Sequence, residues 1–318
     1  MTDRIRLIAL AVALASAPAA AGAFPVTVES CGRPLTVAAP PVRAVSYGSN
    51  LTEMLLALDL ADRMAGFIGQ GARLRTTAGD LFPKVATLRE LQGRYPTREA
   101  FLEERVDFYF AGWSYGMRPG GETTPDTLGR LGIPVYELTE SCIRIGRRVK
   151  PTLDFLYRDL LNLGRIFGVE DRAEALVASY RARIAAVTER VAGIAARPQV
   201  FLLDSAGRVA GTAGGYAMPT ALIETAGGRN LADDLVGNWT RIDWETVIER
   251  DPDAIVVLDF GGADPSQKLA YLRSRPGLRD LRALRENRIL ILGYDDLTPG
   301  PRNVSAVEKI AEFLHGGG

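Results

Sequence analysis

The stretch Thr97-Arg-Glu-Ala-Phe-Leu-Glu-Glu-Arg-Val-Asp107 can be laid without a gap over Asp243-Trp-Glu-Thr-Val-Ile-Glu-Arg-Asp-Pro-Asp253, 146 positions further on. In both copies a residue suited to cap a helix is followed two positions later by a glutamate (Glu99, Glu245) and then by an apolar pair (Phe101-Leu102, Val247-Ile248). An aspartate closes each unit and an apolar strand begins at once, Phe108-Tyr-Phe in one and Ala254-Ile-Val-Val in the other. A repeated helix–strand unit predicts two lobes of similar build. Earlier in the chain, Val42 to Ser46 reads as a buried strand followed by a helix from Asn50, with Glu53 expected to reach back to the Asn50 cap. Strands alternating with helices at this spacing predict an α/β fold.

Between the two copies, Ala173, Val177, Tyr180, Ile184, Val187, Val191 and Ile194 recur at steps of four and three, and no glycine or proline interrupts them before Gly193. The pattern predicts one amphipathic helix over 171–196, roughly 39 Å long at 1.5 Å per residue. It divides the chain into an N-terminal α/β lobe, 24–170, and a C-terminal α/β lobe, 197–318. A coiled-coil dimer would use the same periodicity, but three heptads with arginine-rich flanks suit a connector packed on its own lobes, so a monomer is expected.

Residues 1–23 read as a cleaved signal peptide. Arg4 and Arg6 precede the apolar run Leu7 to Ala15, which leads to Ala21-Gly22-Ala23. That run is too short for the roughly 20 residues a membrane-spanning helix needs. The remaining 295 residues carry 36 basic and 37 acidic groups, which leaves no electrostatic footprint for a nucleic acid. A single histidine excludes sites built from several imidazoles, and no resident metal or cofactor is expected. Export to an oxidising compartment lets the only two cysteines, Cys31 and Cys142, form a disulfide; two buried free thiols are the alternative.

Ligands of parallel α/β folds bind just past the carboxyl ends of strands. Those places are rich in aromatic residues here: Tyr47, Trp113, Tyr115, Tyr216 and Tyr294, with Trp239 ahead of the second repeated helix. Together with Arg73, Arg118 and Arg302 they suit a large, partly planar, anionic ligand held by stacking and charge-assisted hydrogen bonds. Core packing is the ordinary use of any one of these rings. An enzymatic alternative rests on Gly112-Trp-Ser114-Tyr-Gly116, which fits the nucleophile-elbow pattern of a serine hydrolase with His315 later in the chain. Met117-Arg-Pro-Gly-Gly121 breaks the helix such an elbow requires. The Gly211-Thr-Ala-Gly214-Gly215 loop lacks dinucleotide-fingerprint spacing and reads as a turn.

Ser46 to Leu58, Thr97 to Asp107, Ile223-Glu-Thr-Ala-Gly-Gly-Arg-Asn230, Asp243 to Asp253 and Pro299-Gly-Pro-Arg302, taken in this order, resemble the periplasmic substrate-binding proteins of iron-siderophore and vitamin B12 ABC importers. The resemblance covers about residues 31 to 315. It implies two α/β lobes joined by a single long connector helix, a ligand cleft between the lobes, modest closure, and no catalysis. It also implies that Glu99 and Glu245 dock onto arginines of the permease subunits. A first-turn carboxylate on each lobe is independently favourable, because the helix dipole stabilises it and a two-fold partner finds it twice. The expected ligand is an iron(III)-siderophore, with cobalamin or another corrinoid, or haem, as alternatives.

Overall fold

The computed structural model describes residues 24–79, 81–92, 95–261 and 264–316; the expected signal peptide lies outside them. The N-terminal half runs β1 (Val26–Ser30), β2 (Arg33–Val37), β3 (Ala44–Tyr47), α1 (Gly48–Ala57), β4 (Met64–Ile68), α2 (Gly71–Ala78), β5 (Glu90–Gln92), α3 (Arg98–Glu103), β6 (Phe108–Trp113), β7 (Gly116–Met117), α4 (Pro125–Gly129), β8 (Val135–Glu137), α5 (Leu153–Phe167) and α6 (Glu170–Val191). The C-terminal half runs β9 (Gln199–Leu203), β10 (Ala210–Ala213), α7 (Met218–Thr225), β11 (Arg229–Asn230), β12 (Trp239–Ile242), α8 (Trp244–Arg250), β13 (Ala254–Asp259), α9 (Pro265–Ser274), α10 (Arg282–Arg285), β14 (Ile289–Gly293), α11 (Tyr294–Leu297) and α12 (Asn303–His315).

Each half builds its own sheet, as the duplicated unit predicts. The first has strand order β5-β4-β3-β6-β7 with β8 also beside β6, and the second has order β11-β9-β13-β14. All the pairs within both sheets are parallel. Parallel strands covered on both faces read as unbroken apolar runs, and β6, Phe-Tyr-Phe-Ala-Gly-Trp, is buried at every position. Its counterpart β13 is buried from Ala254 to Leu258. The repeated helices are α3 and α8, each leading into the central strand of its sheet.

The helix expected over 171–196 runs from Glu170 to Val191. It ends early because Ala192 and Gly193 turn out of it and residues 194–198 have no regular structure. Its buried residues are Ala173, Val177, Tyr180 and Val187; of the rest of the predicted stripe Ile184 and Val191 are half-buried and Ile194 is exposed beyond the helix, and α5 and α12 pack against it. One apolar cluster runs without interruption from α1 and α5 through α6 to α7 and α12. The two halves therefore share a core along one side, which resists wide hinge motion.

The start of α1 departs from expectation. The helix begins at Gly48, whose φ of +72° suits a residue without a side chain, and Tyr47 occupies the N-cap position with no capping side chain. Asn50 and Glu53 are freed for contacts with the other lobe. The Asn50 amide donates to the Pro299 carbonyl at 2.8 Å, and Glu53 receives both arms of Arg302, Nε at 2.7 Å and Nη2 at 2.6 Å.

Cys31 and Cys142 form the expected disulfide, with Cα atoms 5.4 Å apart. It ties the β1–β2 hairpin to the turn of 3-10 helix Thr139–Ile145, across 111 positions of sequence. Closing a loop of that length constrains the unfolded chain by about 4 to 5 kcal/mol in the chain-entropy treatment. Replacing both cysteines by serine is expected to lower the unfolding free energy by about 2 to 5 kcal/mol, measured by urea denaturation. A variant as stable as the wild type would show that the bridge contributes nothing.

Candidate ligand-binding cleft

The carboxyl ends of both central strands point to the same seam. The chain leaves β6 through a tight turn at Trp113-Ser114-Tyr115, in which Gly112 and Tyr115 exchange backbone hydrogen bonds of 2.7 and 2.8 Å. Gly116 follows at φ +91°, and a Cβ there would lie 2.4 Å from the Tyr109 hydroxyl and 2.6 Å from the Tyr47 ring. The close approach of these rings is what requires glycine. From the other lobe, β13 delivers Phe260, β14 delivers Tyr294, and β12, paired antiparallel with β10, brings Trp239 with Asn238 just ahead of it. Between the lobes is a cavity of 180 Å³, lined by Ser114, Tyr115 and Arg144 on one side and by Asp204, Asn238, Trp239, Leu258, Phe260 and Tyr294 on the other.

Phe260 and Tyr294 stack with centroids 4.4 Å apart and ring planes inclined by 28°. The Arg73 guanidinium, carried by α2, lies 5.0 Å from the first ring and 5.8 Å from the second. It also donates to the Asp259 carbonyl at 3.1 Å. Arg73 thus latches one lobe to the strand end of the other, over the rings that line the cavity. Lys268 fixes that strand end from below, donating to the Leu258 carbonyl at 2.6 Å and the Phe260 carbonyl at 2.9 Å. Burial lowers the Lys268 pKa and raises that of Asp204, while each charge partly offsets the shift of the other. Burial also raises the Tyr115 and Tyr294 hydroxyls.

Of the residues expected to bind ligand, Tyr115, Trp239 and Tyr294 line the cavity, and Arg73 lies over its rings. Tyr47 packs beside the turn that carries Tyr115, half-buried. Tyr216 is half-buried, with its amide donating to the Gly237 carbonyl, and it is not among the residues lining the cavity. Three further expected residues fall outside the cavity lining. Trp113 is 6 % exposed and its indole donates to Glu137 within the lobe at 2.8 Å; Tyr115, equally buried, reaches the cavity because the chain turns at Ser114 after β6 ends. Arg118 is exposed beyond β7, 6.0 Å from the Tyr95 ring. Arg302 is consumed by Glu53 and by the Thr77 carbonyl at 2.6 Å, so it joins the lobes instead of gripping a ligand.

Sequence reasoning missed Phe260, Arg144, Asn238 and Glu140. Phe260 was available to the rule that found the others, because it directly follows β13. Arg144 and Glu140 sit on the 3-10 helix anchored by Cys142, and no local pattern marks such a turn as facing a cleft. Glu140 is 2 % exposed and accepts a 3.1 Å hydrogen bond from the Met218 amide of the opposite lobe. Burial raises its pKa to about 7, against the lowering effect of Met218, Arg144, Asn238 and Tyr115.

The serine-hydrolase alternative is not supported. Ser114 occupies a turn at φ +71° that leads into β7, with no helix behind it. The His315 ring lies at the far end of α12, 3.2 Å from the Ala226 carbonyl.

No curated protein sequence matches the chain. Solved structures do. A periplasmic binding protein from Veillonella parvula is 27% identical with a TM-score of 0.79, over 92% of this chain and 97% of that one. A protein of an ABC-type Fe3+-hydroxamate transport system from Saccharomonospora viridis is 26% identical with a TM-score of 0.77, over 92% of this chain and all (100%) of that one. A periplasmic heme binding protein from Pseudomonas aeruginosa is 25% identical with a TM-score of 0.68, over 87% and 94%. The profile of the periplasmic binding protein family matches residues 117–295, which run from the strand after the Tyr115 turn to the helix that opens with Tyr294. Two parallel-sheet lobes, a cleft between them and a family profile that covers more than half of the sequence lead to one assignment: this chain is a member of the periplasmic binding protein family, the solute-binding components of ABC importers.

Proposed function

We propose that the chain captures an iron(III) chelate of the siderophore class in the inter-lobe cleft and hands it to the permease subunits of an ABC importer. The observation that carries this reading is the cavity lining. Trp239 and the Phe260–Tyr294 stack offer aromatic faces, Arg144 stands inside and Arg73 lies over the stacked rings. That combination suits a bulky ligand with anionic oxygens. The likeness to the Fe3+-hydroxamate transport protein supports the same class. A volume of 180 Å³ is below the roughly 300 to 1,000 Å³ of pockets for drug-sized ligands, so a chelate is accommodated by releasing Arg73 from Asp259 while the shared core holds the other side. Cleavage of residues 1–23, lobes at 24–170 and 197–318 about the intervening helix, a monomeric state, and permease docking through Glu99 and Glu245 complete the reading. Both glutamates are exposed in the first turns of α3 and α8.

Titration with ferric siderophores, cobalamin and haem, followed by tryptophan fluorescence, tests the assignment. Of the 3 tryptophans, Trp239 lines the cavity while Trp113 and Trp244 are buried in the lobes. A ferric siderophore is expected to quench the emission, and Trp239→Phe is expected to remove most of that response. A response to cobalamin alone would overturn the ligand class, and silence with all three would overturn the cleft as the binding site.

A further inference from the structure

Three buried polar atoms without a hydrogen-bond partner gather at one place on the seam: Glu140 Oε2, the Tyr115 hydroxyl and Asn238 Nδ2. Their residues are 2 %, 6 % and 2 % exposed. Tyr115 and Asn238 both act on the Glu140 carboxyl, yet none of the three atoms reaches hydrogen-bonding geometry with another. Leaving such groups unpaired is costly, and native structures hold few of them. Tyr115 and Asn238 also line the cavity, and Glu140, which lines the pocket on the disulfide side, lies behind them.

We propose that Glu140, Tyr115 and Asn238 form a hydrogen-bonding floor for an anionic oxygen of the bound solute, with Glu140 contributing as the neutral acid. This rests on the reading of the cleft as the ligand site and adds a chemical requirement to it. Oε1 of Glu140 already accepts from the Met218 amide at 3.1 Å, which leaves Oε2 to carry the proton. Three donors then converge, the Glu140 acid, the Tyr115 hydroxyl and the Asn238 amide, and an oxygen with free lone pairs and no proton completes them. The charged groups facing this point agree. Arg144, on the same turn as Glu140, lines the cavity, as does Tyr294 from the other lobe. Arg147, Arg158 and Glu29 line the surface pocket behind Glu140. Asp204 is the acidic exception at the cavity, and Lys268 acts on it. With its pKa at about 7, Glu140 takes up the proton at little cost near neutrality. An ionised Glu140 would instead repel a chelate oxygen.

The sign follows from the protonation state. Affinity is full below the pKa of Glu140 and falls as pH rises through it, approaching about tenfold per pH unit, because only the protonated fraction is competent. The experiment measures affinities of a ferric tris-hydroxamate chelate, ferric citrate, molybdate, haem and cobalamin between about pH 5.5 and pH 8.5, for the wild type and for Glu140→Gln. The glutamine donates through its amide and cannot ionise, so its affinity should stay flat where that of the wild type falls. The difference between the two proteins separates Glu140 from any titration of the probe. An oxyanion or chelate that binds with the same pH profile in both proteins would overturn this inference and leave the cleft assignment standing. Affinity that rises with pH only in the wild type would mean a hydroxyl donor at the floor, and would also overturn it. Binding of cobalamin alone, or of no probe, would overturn both.

Discussion

Charge reversal of both Glu99 and Glu245 to lysine is expected to abolish import in a reconstituted transport assay while leaving ligand affinity unchanged. The two side chains are exposed in the first turns of α3 and α8, where the positive end of the helix dipole favours a carboxylate. Because they occupy the same position of a duplicated unit, a partner with two-fold symmetry meets the same feature twice. Leu102 and Ile248 are equivalent under the same repeat, one helical turn further on, and both are exposed, at 55 % and 39 %. Each face thus offers a carboxylate beside an apolar contact. Two like-charge encounters in place of two attractive ones cost several kcal/mol, and about 3 kcal/mol already reduces productive docking about a hundredfold. The single variants should each show an intermediate loss. Fluorescence titration of the double variant should reproduce the wild-type curve, since neither residue lines the cavity. Unchanged uptake would remove the docking role.

Arg302→Ala is expected to destabilise the fold by about 3 to 5 kcal/mol, the cost of leaving a buried carboxylate unpaired. The Glu53 side chain is fully buried and Arg302 is nearly so. Both guanidinium bonds to it cross between the lobes. Burial raises the Glu53 carboxyl to about 7 against the lowering pull of Arg302. The folded state therefore binds this proton more tightly than the unfolded chain, and stability is lost as pH rises from about 4.5 through 7. Without Arg302 that lowering pull disappears, so the penalty should be larger in alkaline buffer than in mildly acidic buffer. Replacing Glu53 and Arg302 together by methionine should recover most of the stability, because well-packed apolar groups substitute for a buried pair. Denaturant titration at two pH values reads both effects; an Arg302→Ala protein with wild-type stability would show that the pair does not hold the lobes.

The paired lobes were legible because the duplicated unit is local: a helix followed by a buried strand carries its pattern within eleven residues, and both copies fold so, although Thr97 caps its helix through its side chain and Asp243 does not. The amphipathic stripe of α6 was legible for the same reason, although its end at Val191 fell short of the periodicity. The strand-end rule pointed to Tyr115 and Tyr294, and Trp239 was singled out by its place ahead of the second repeated helix; all three line the cavity. The rule failed at Trp113, which still belongs to β6 and spends its indole on Glu137, whereas Tyr115 lies beyond the turn at Ser114.

The amino-acid sequence on its own determined the α/β class, the duplication, and the supply of aromatic residues to the seam, since these depend on residue type and short-range spacing; it limited any internal disulfide to Cys31 with Cys142, and the fold brought the two together. Tertiary structure alone decided which partners the charged residues take. Arg302 looks equally suited to a ligand or to Glu53 until folding brings together residues 249 positions apart. Glu140 acquires its raised pKa only when folding buries it at the seam, and the Met218 amide of the other lobe then pulls part of that rise back. Burial and long-range hydrogen bonds set the chemistry of a polar group, and neither is written in its neighbours along the chain.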